Sequence, residues 1–541
     1  MSAEAEHVRP RVLVTDKIAA EGLRLLDSVA DVDQRVGLDP AELVTVISGY
    51  DALIVRSETK VTADVIRAGL HLRVIARAGV GVDNIDVAAA TNSGVIVVNS
   101  PTGNVGAAAE HTIAMLLALA RQIPDAVASL RAGKWERSRF VGVEVRGKTL
   151  GVIGLGKVGL GVARSAMGMG MRVTAMDPYV SPDFAEQMGI ELADLDSVLS
   201  KADFLTAHTP LTPATKNVIS AEQFQKMPRG SFVLNVARGG VVDEAALLAA
   251  LESGHIAGAA LDVFTVEPPT ADEIGKKLLA HPKVIATPHL GASTKEAQIT
   301  VAIDVCEQTA EILQGGAPRA AVNAPLILPE DLAKLRPFVA LVEKLGLFYR
   351  QWYRKQSRRF EITYDGEVAE GDTYPLRVAL IKGLTETISE DRVNFVSANT
   401  VAKRHGIEIT ERKSNSPQQY ANLITLRGLD GSDEQILSGA VTWGQERVVR
   451  VDGYTTDFAP SGAILLCKNQ DRPGMVGKVG VILGDAGVNI NSMNVGPLNL
   501  GAGPQGEALM ILSVDREISA AALSAVKNTD GISDVITAHF S

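Results

Sequence analysis

The chain has 541 residues, too many for one hydrophobic core, so three or four domains are expected. With 46% hydrophobic but only 4% aromatic residues, those cores must be built from Val, Leu, Ile and Ala. Asp and Glu (63) outnumber Lys and Arg (53), and the net charge of −10 excludes a general nucleic-acid or membrane-surface binder while leaving room for local basic pockets.

The first residues lack the basic-then-apolar order of a signal peptide, and no apolar run reaches the ~18 residues of a membrane span. Cys306 and Cys467 stand alone and far apart, as small buried residues of a reducing compartment do. These features read as a cytoplasmic protein with no membrane and no nucleic-acid partner.

In chain order, short apolar runs starting at Arg11, Asp51, Arg73 and Val95 read as buried strands, with helical patterns at 18–29, 40–48 and 62–69 between them. A long Ala/Leu helix over 104–122 is apolar nearly all round, which places it between larger bodies. Six strands follow near 149–153, 172–176, 203–207, 232–235, 258–261 and 284–286. The helical pattern at 293–314 must then rejoin the first domain. A nucleotide domain (104–292) is therefore inserted in a substrate domain (8–103 and 293–320), which creates a cleft between two α/β bodies. Linker composition near 315–331 leads to a further α/β domain, 325–455, without a glycine fingerprint. Residues 460–541 read βαββαβ, a ferredoxin-like layout.

The motif with the clearest chemistry is Gly154-Leu-Gly156-Lys-Val-Gly159, which follows a strand and opens a helix. Gly154 permits the tight turn, Gly156 lets the backbone approach a pyrophosphate, and Gly159 lets helix and strand pack closely. Asp177 ends the next strand, where its carboxylate can accept from ribose hydroxyls and repel a 2′-phosphate; NAD is favoured over NADP. As a residue before Pro178, Asp177 also suits a turn.

Hydride transfer at C2 of a hydroxy acid needs a base for the hydroxyl proton and a cation for the carboxylate. His289 follows the strand ending at Ala286, at the C-terminal mouth of the nucleotide sheet. His208 also ends a strand and is its nearest competitor, while His111 suits a satisfied interface position. Arg238 follows another strand and can fork onto a carboxylate. Glu267 lies beyond a third strand, within reach of pairing with His289. No metal site is expected.

The stretches Asn235-Val-Ala-Arg-Gly-Gly, Leu261-Asp-Val-Phe-Thr-Val-Glu-Pro-Pro and Thr287-Pro-His-Leu-Gly-Ala-Ser-Thr resemble, in order and spacing, the signatures of the D-isomer-specific 2-hydroxyacid dehydrogenases. The likeness covers roughly 10–320. Arg56-Ser-Glu-Thr-Lys, Arg77-Ala-Gly-Val-Gly-Val-Asp-Asn-Ile-Asp and Lys134-Trp-Glu-Arg-Ser are similar to the substrate-domain stretches of family members that act on 3-phosphoglycerate, and the tail from Val451 resembles an ACT regulatory domain. Long members of the family carry an intervening domain like 325–450.

The resemblance implies a Rossmann-type doubly wound domain inserted in a flavodoxin-like substrate domain, with intervening and ACT domains behind. It implies that Arg238 holds the substrate carboxylate, that His289 exchanges the proton and that Glu267 orients the histidine. NAD would touch Val80, Gly154, Gly156, Lys157, Val158, Gly159, Asp177, Thr209, Val236, Ala237, Asp262, Gly291 and Ala292. Arg56, Ser57 and Gly79 would face the substrate; Arg56, Arg77 and Arg137 are candidates for its phosphate, with Arg137 acting across a dimer interface. Asp471 and Asn489 occupy the positions of an amino-acid site, so L-serine is a candidate effector. Two features depart from shorter members: Asn469 stands where they carry a histidine, and the loop 496–506 is longer.

The implied reaction is NAD-dependent oxidation of 3-phosphoglycerate to 3-phosphohydroxypyruvate, the opening step of serine biosynthesis, in a homotetramer. Other readings are a hydroxypyruvate, glyoxylate or 2-oxoglutarate reductase of the same family, or an NAD-sensing corepressor.

Overall fold

The computed structural model describes residues 9–540 except 317, 326–328, 390–391, 416–419, 431–434 and 499–505; part of the long loop 496–506 thus lies outside the described residues. Four sheets organise the chain.

The first sheet contains β1 (Arg11–Val14), β2 (Asp31–Gln34), β3 (Ala52–Val55), β4 (Val74–Arg77) and β5 (Ile96–Asn99), all parallel in the order β2-β1-β3-β4-β5. This is the flavodoxin-like order. The β2 strand, Asp-Val-Asp-Gln, gave no apolar signal because it is a solvated edge. The helical pattern at 18–29 shortens to the single helix Ala20–Leu23 followed by turns.

The second sheet contains β6 (Thr149–Ile153), β7 (Arg172–Met176), β8 (Glu191–Leu192), β9 (Phe204–Ala207), β10 (Ser231–Asn235), β11 (Ile256–Leu261) and β12 (Val284–Ala286). Its order, β12-β11-β10-β9-β6-β7-β8, is doubly wound around the β6/β9 switch point, where ligands of such sheets sit. It has seven strands rather than six, because two-residue β8 at the edge is too short to carry a pattern. The helix Val105–Ala120 packs on this sheet through Met115, Leu116 and Leu119. After β12 the helix Lys295–Leu313 returns to the first sheet and seals it with Val301, Val305, Cys306 and Ile312. Burial pushes the Cys306 and Cys467 thiols up to about 12, which keeps both inert.

Beyond the linker the pattern is less alternating than expected. One helix, Pro329–Trp352, precedes a mixed sheet of β13 (Arg359–Gly366), β14 (Glu408–Ser414), β15 (Asn422–Gly428), β16 (Gln435–Thr442), β17 (Gln445–Val451) and β18 (Tyr454–Phe458), ordered β14-β13-β15-β16-β17-β18. Only β13 and β14 pair in parallel, across the helices Tyr374–Thr385 and Ala398–Arg404. The last sheet, β20-β21-β19-β22, is antiparallel and comprises β19 (Gly462–Gln470), β20 (Ile490–Pro497), β21 (Glu507–Val514) and β22 (Ile532–Phe540). Alternate residues of β19 face opposite ways: Leu465 and Cys467 meet the helices Met475–Asp485 and Ala520–Lys527, while Ile464 and Leu466 join the core of the mixed sheet. Among the described residues no single helix is long and apolar enough to cross a membrane.

Candidate active site

The site forms where the C-terminal ends of β4, β10, β11 and β12 meet. His289 lies just beyond β12, with its backbone in the left-handed region at φ 53°, a costly conformation for a side chain larger than glycine. Asp262, buried at the end of β11, holds that turn: its backbone oxygen accepts from His289 N (2.9 Å), and its carboxylate accepts from Leu290 N (2.7 Å) and Gly291 N (2.9 Å). His111 Nε2 also reaches Asp262 (3.2 Å) and Thr287 (3.1 Å), so this histidine braces the interface as expected.

His289 Nδ1 lies 3.0 Å from Glu267 Oε2 and 3.2 Å from Oε1. An ionised carboxylate only accepts, so Nδ1 carries the proton of this bond and Nε2 remains free to act as a base. Burial pushes the Glu267 carboxyl upward. The hydrogen bond and charge of His289, joined by the Phe264 N–H and Arg238, outweigh it and hold the group below the usual carboxylate range. His208 differs: desolvation of its ring pushes it down to about 4, and its Nε2 bonds Thr206 Oγ1 at 3.0 Å. It stays neutral and engaged.

Arg238 stands on the turn after β10, where Nη1 donates to Ala237 O (2.7 Å). Its Nε donates across the cleft to Asp83 Oδ2 (3.0 Å). Arg77 closes β4 and lies over Gly79, where φ is 151° and an added Cβ would sit 2.4 Å from Arg77 Nη1. Burial and the neighbouring Arg238 and Arg56 push its guanidinium down to about 10 against Asp83 and Asp16, so it remains a cation at neutral pH. Its Nε is buried without a partner. The loop carrying Arg56 and Ser57 is pinned from below: Asp16 accepts from Arg56 N (2.5 Å), and Asn84 Nδ2 donates to Arg56 O (2.7 Å). Three arginines thus converge beside an imidazole–carboxylate pair, an arrangement suited to a substrate with two anionic groups and a removable hydroxyl proton.

The glycine turn fits a dinucleotide. Gly154 (φ 91°) packs against His208 O, and a Cβ on Gly159 would lie 2.1 Å from Gly154 O, so both are fixed by the protein itself. A Cβ on Gly156 meets nothing within 4 Å, and the helix Lys157–Gly168 has no side-chain cap there. What requires bare backbone at Gly156 is therefore outside the chain, as a pyrophosphate would be. Thr209 Oγ1 nearby is buried without a partner. Asp177 accepts from Leu155 N and Tyr179 N, both 2.8 Å, which makes it a turn residue and fixes its carboxylate beside the glycines.

Comparison with known proteins gives the same picture. Residues 113–291 match the family model "D-isomer specific 2-hydroxyacid dehydrogenase, NAD binding domain", residues 334–452 the "D-3-phosphoglycerate dehydrogenase intervening domain", and residues 463–531 the "ACT domain". A D-3-phosphoglycerate dehydrogenase of Synechocystis is 45% identical over 97% of this chain and 94% of its own; those of Methanocaldococcus jannaschii and Bacillus subtilis are 42% and 41% identical, each over 97% of this chain and at least 98% of their own. The chain belongs to the D-3-phosphoglycerate dehydrogenase family. Among solved structures, a Thermus thermophilus protein (36% identity, TM-score 0.54) and an Aquifex aeolicus D-lactate dehydrogenase complexed with NAD and lactic acid (25%, 0.53) each cover 58% of this chain and 99% of their own. The domain at 113–291 binds NAD.

Of the residues singled out in the sequence, Arg56, Arg77, Gly79, Arg238, Glu267 and His289 come together, with Asp262 and Gly291 behind them. Val80, Val236, Ala237 and Ala292 adjoin these groups in the chain, and Lys157 and Val158 follow the glycine turn. Ser57 is exposed on the rim. Arg137 is exposed, and no described hydrogen bond or ion pair joins it to the cleft. Asp471 and Asn489 do not touch each other: Asp471 N donates to Gly506 O, whereas Asn489 bonds Asp515 and Asn491. Asn469 is buried, with its Oδ1 unpartnered. Sequence reasoning missed Asp16, Asp83 and Asn84. The last two stood inside a quoted stretch, but their partners lie 155 and 28 residues away.

Proposed function

We propose that this chain oxidises 3-phospho-D-glycerate to 3-phosphohydroxypyruvate with NAD, the opening step of the phosphorylated route to L-serine. The observation that carries this reading is the His289–Glu267 pair set against three cleft arginines. Arg238 exchanges Asp83 for the substrate carboxylate and orients C2. His289 Nε2 takes the C2 hydroxyl proton, and Glu267 stabilises the imidazolium that forms. When bound, NAD would supply the hydride acceptor; Asp177, Thr209 and the Gly154–Gly159 turn would hold its ribose and pyrophosphate, and Val236, Ala237, Asp262, Gly291 and Ala292 would line its nicotinamide side. Arg56 and Arg77 meet the phosphate, whose charge near −2 at neutral pH calls for more than one cation.

A homotetramer is the assembly we favour. Ile123, Val127 and Leu130 form an exposed apolar stripe on the helix Ile123–Arg131, next to exposed Trp135 and Val141. A partner covering that stripe would bring Arg137 to a neighbouring cleft. The ACT domain supports a small-molecule effector; L-serine near Asp471 and Asn489 is the specific proposal, and the cytoplasm is the proposed location.

The test is NADH formation from 3-phosphoglycerate with continuous removal of product, against a His289→Ala control. Turnover no faster than the control, or faster turnover with glycolate or lactate than with 3-phosphoglycerate, rejects the reading.

A further inference from the structure

The acid of the catalytic pair stands on a loop, and a proton-exchanging pair works only while its geometry holds. Val263 and Phe264, buried just after β11, are the last residues of this loop that the core retains. Thr265, Val266 and Glu267 are exposed. Something beyond the core must therefore keep the Glu267 carboxylate 3.0 Å from His289 Nδ1.

The tether comes from Glu244, the first residue of the helix Glu244–Glu252. Thr265 N donates to Glu244 Oε1 (2.5 Å), and Thr265 Oγ1 donates to the same oxygen (2.7 Å). Among the described residues, Glu244 and His289 make the only hydrogen bonds from outside the loop to the stretch 263–267. The position of Glu244 is itself fixed, because Asp243 caps the helix by accepting from Ala246 N (3.0 Å).

On its other side the loop meets a wall. A Cβ added to Gly239 would lie 1.9 Å from Phe264 O and 2.6 Å from Thr265 N, so the Arg238 turn touches the loop backbone to backbone. That turn has its own support: Asn235 Nδ2 donates to Arg238 O (2.9 Å), and Asn235 Oδ1 accepts from Ala237 N (3.2 Å). The wall stops the loop from moving towards Arg238, and only the tether stops it from moving away.

We propose that Glu244 is a positioning residue that holds Thr265, and through it the Glu267 carboxylate, in register with His289. The inference rests on the proposed roles of Glu267 and His289, whichever 2-hydroxy acid they serve. The competing role is that of a first-turn acid that only offsets the helix N-terminus. The two roles make different demands on the side chain. A tether needs one acceptor oxygen, because both bonds end on Oε1, whereas the helix terminus needs the negative charge.

The experiment is steady-state kinetics on Glu244→Ala, Glu244→Gln, Glu267→Ala and the double variant Glu244→Ala/Glu267→Ala, with the 2-hydroxy acid that the wild type turns over fastest. Glu244→Ala should lower kcat about 10–10²-fold with KM for the acid little changed, and Glu244→Gln should restore most of the loss. In the Glu267→Ala background Glu244→Ala should add almost nothing, since the group it positions is gone. Equal losses in the Ala and Gln variants overturn the proposal. So does a loss that persists in full without Glu267, or a raised KM at unchanged kcat.

Hydrogen exchange reads the tether without using the reaction. Amides 264–267 should exchange faster in Glu244→Ala than in the wild type, and at the wild-type rate in Glu244→Gln. Equal exchange in all three overturns the proposal even in a chain that oxidises no 2-hydroxy acid. A wild type inactive on 3-phosphoglycerate counts against the proposed reaction alone.

Discussion

In the first half of the chain two parallel sheets keep their own cores, whereas in the second half the mixed sheet and the four-stranded sheet share one. Between the first two bodies the contacts are polar and sparse, and the Arg238–Asp83 pair reaches directly across the cleft. Between the last two, Phe348 meets Phe458 (5.8 Å) and Phe540 (5.9 Å), and Gln351 pairs with both backbone groups of His539. The difference follows from the task. A cleft that admits substrate needs bodies able to part, and polar contacts exchange for water at low cost. Two sheets built on one shared apolar core must instead move as a unit.

The strongest test of the cleft is His289→Ala. Turnover should fall about 10²–10⁴-fold with no change in thermal unfolding, because the residue contributes to no core. A large loss of melting temperature would break the distinction. In the other half, Phe348→Ala should cost about 3–5 kcal/mol and speed hydrogen exchange in β16 and β19 together; loss of protection in one sheet alone would show that they are independent.

Asp83→Asn removes the competitor for Arg238 and should lower KM for 3-phosphoglycerate severalfold with a smaller change in kcat. A raised KM would mean that Asp83 positions the arginine rather than occupying it.

The smallest effect is on acid stability. His208 is held down to about 4 in the folded chain against ~6.5 unfolded, so the unfolded state binds the extra proton first. Stability should fall as pH drops from about 6.5 towards 4 and level off below, and His208→Asn should flatten that slope; a melting temperature independent of pH in this window would contradict it.

Much of this was legible in the sequence because local chemistry dictates it. The glycine spacing at 154–159 and the strand-end positions of Arg238 and His289 are properties of a few neighbouring residues. The short edges β2 and β8 were not legible, being polar or only two residues long. Nor were Asp16 and Asp83, whose roles arise only when distant strands meet. The uninterrupted run Ala463-Ile-Leu-Leu-Cys did carry a signal: a strand apolar on both faces must be covered on both, and the second cover is the helix Pro329–Trp352.

That shared cover decides where the chain can be cut. Only three residues separate β18 from β19, yet a break there would strip Ile464, Leu466, Leu509 and Phe540 of their cover and leave the cut surfaces prone to aggregate. Nor is the stretch 319–323 a tolerant joint, because it pairs with β5 through the Val98–Ala321 bridge and the hydrogen bonds of Asn323. An engineered graft, or an ancestral gene fusion, would have to transfer both C-terminal domains as a single cassette.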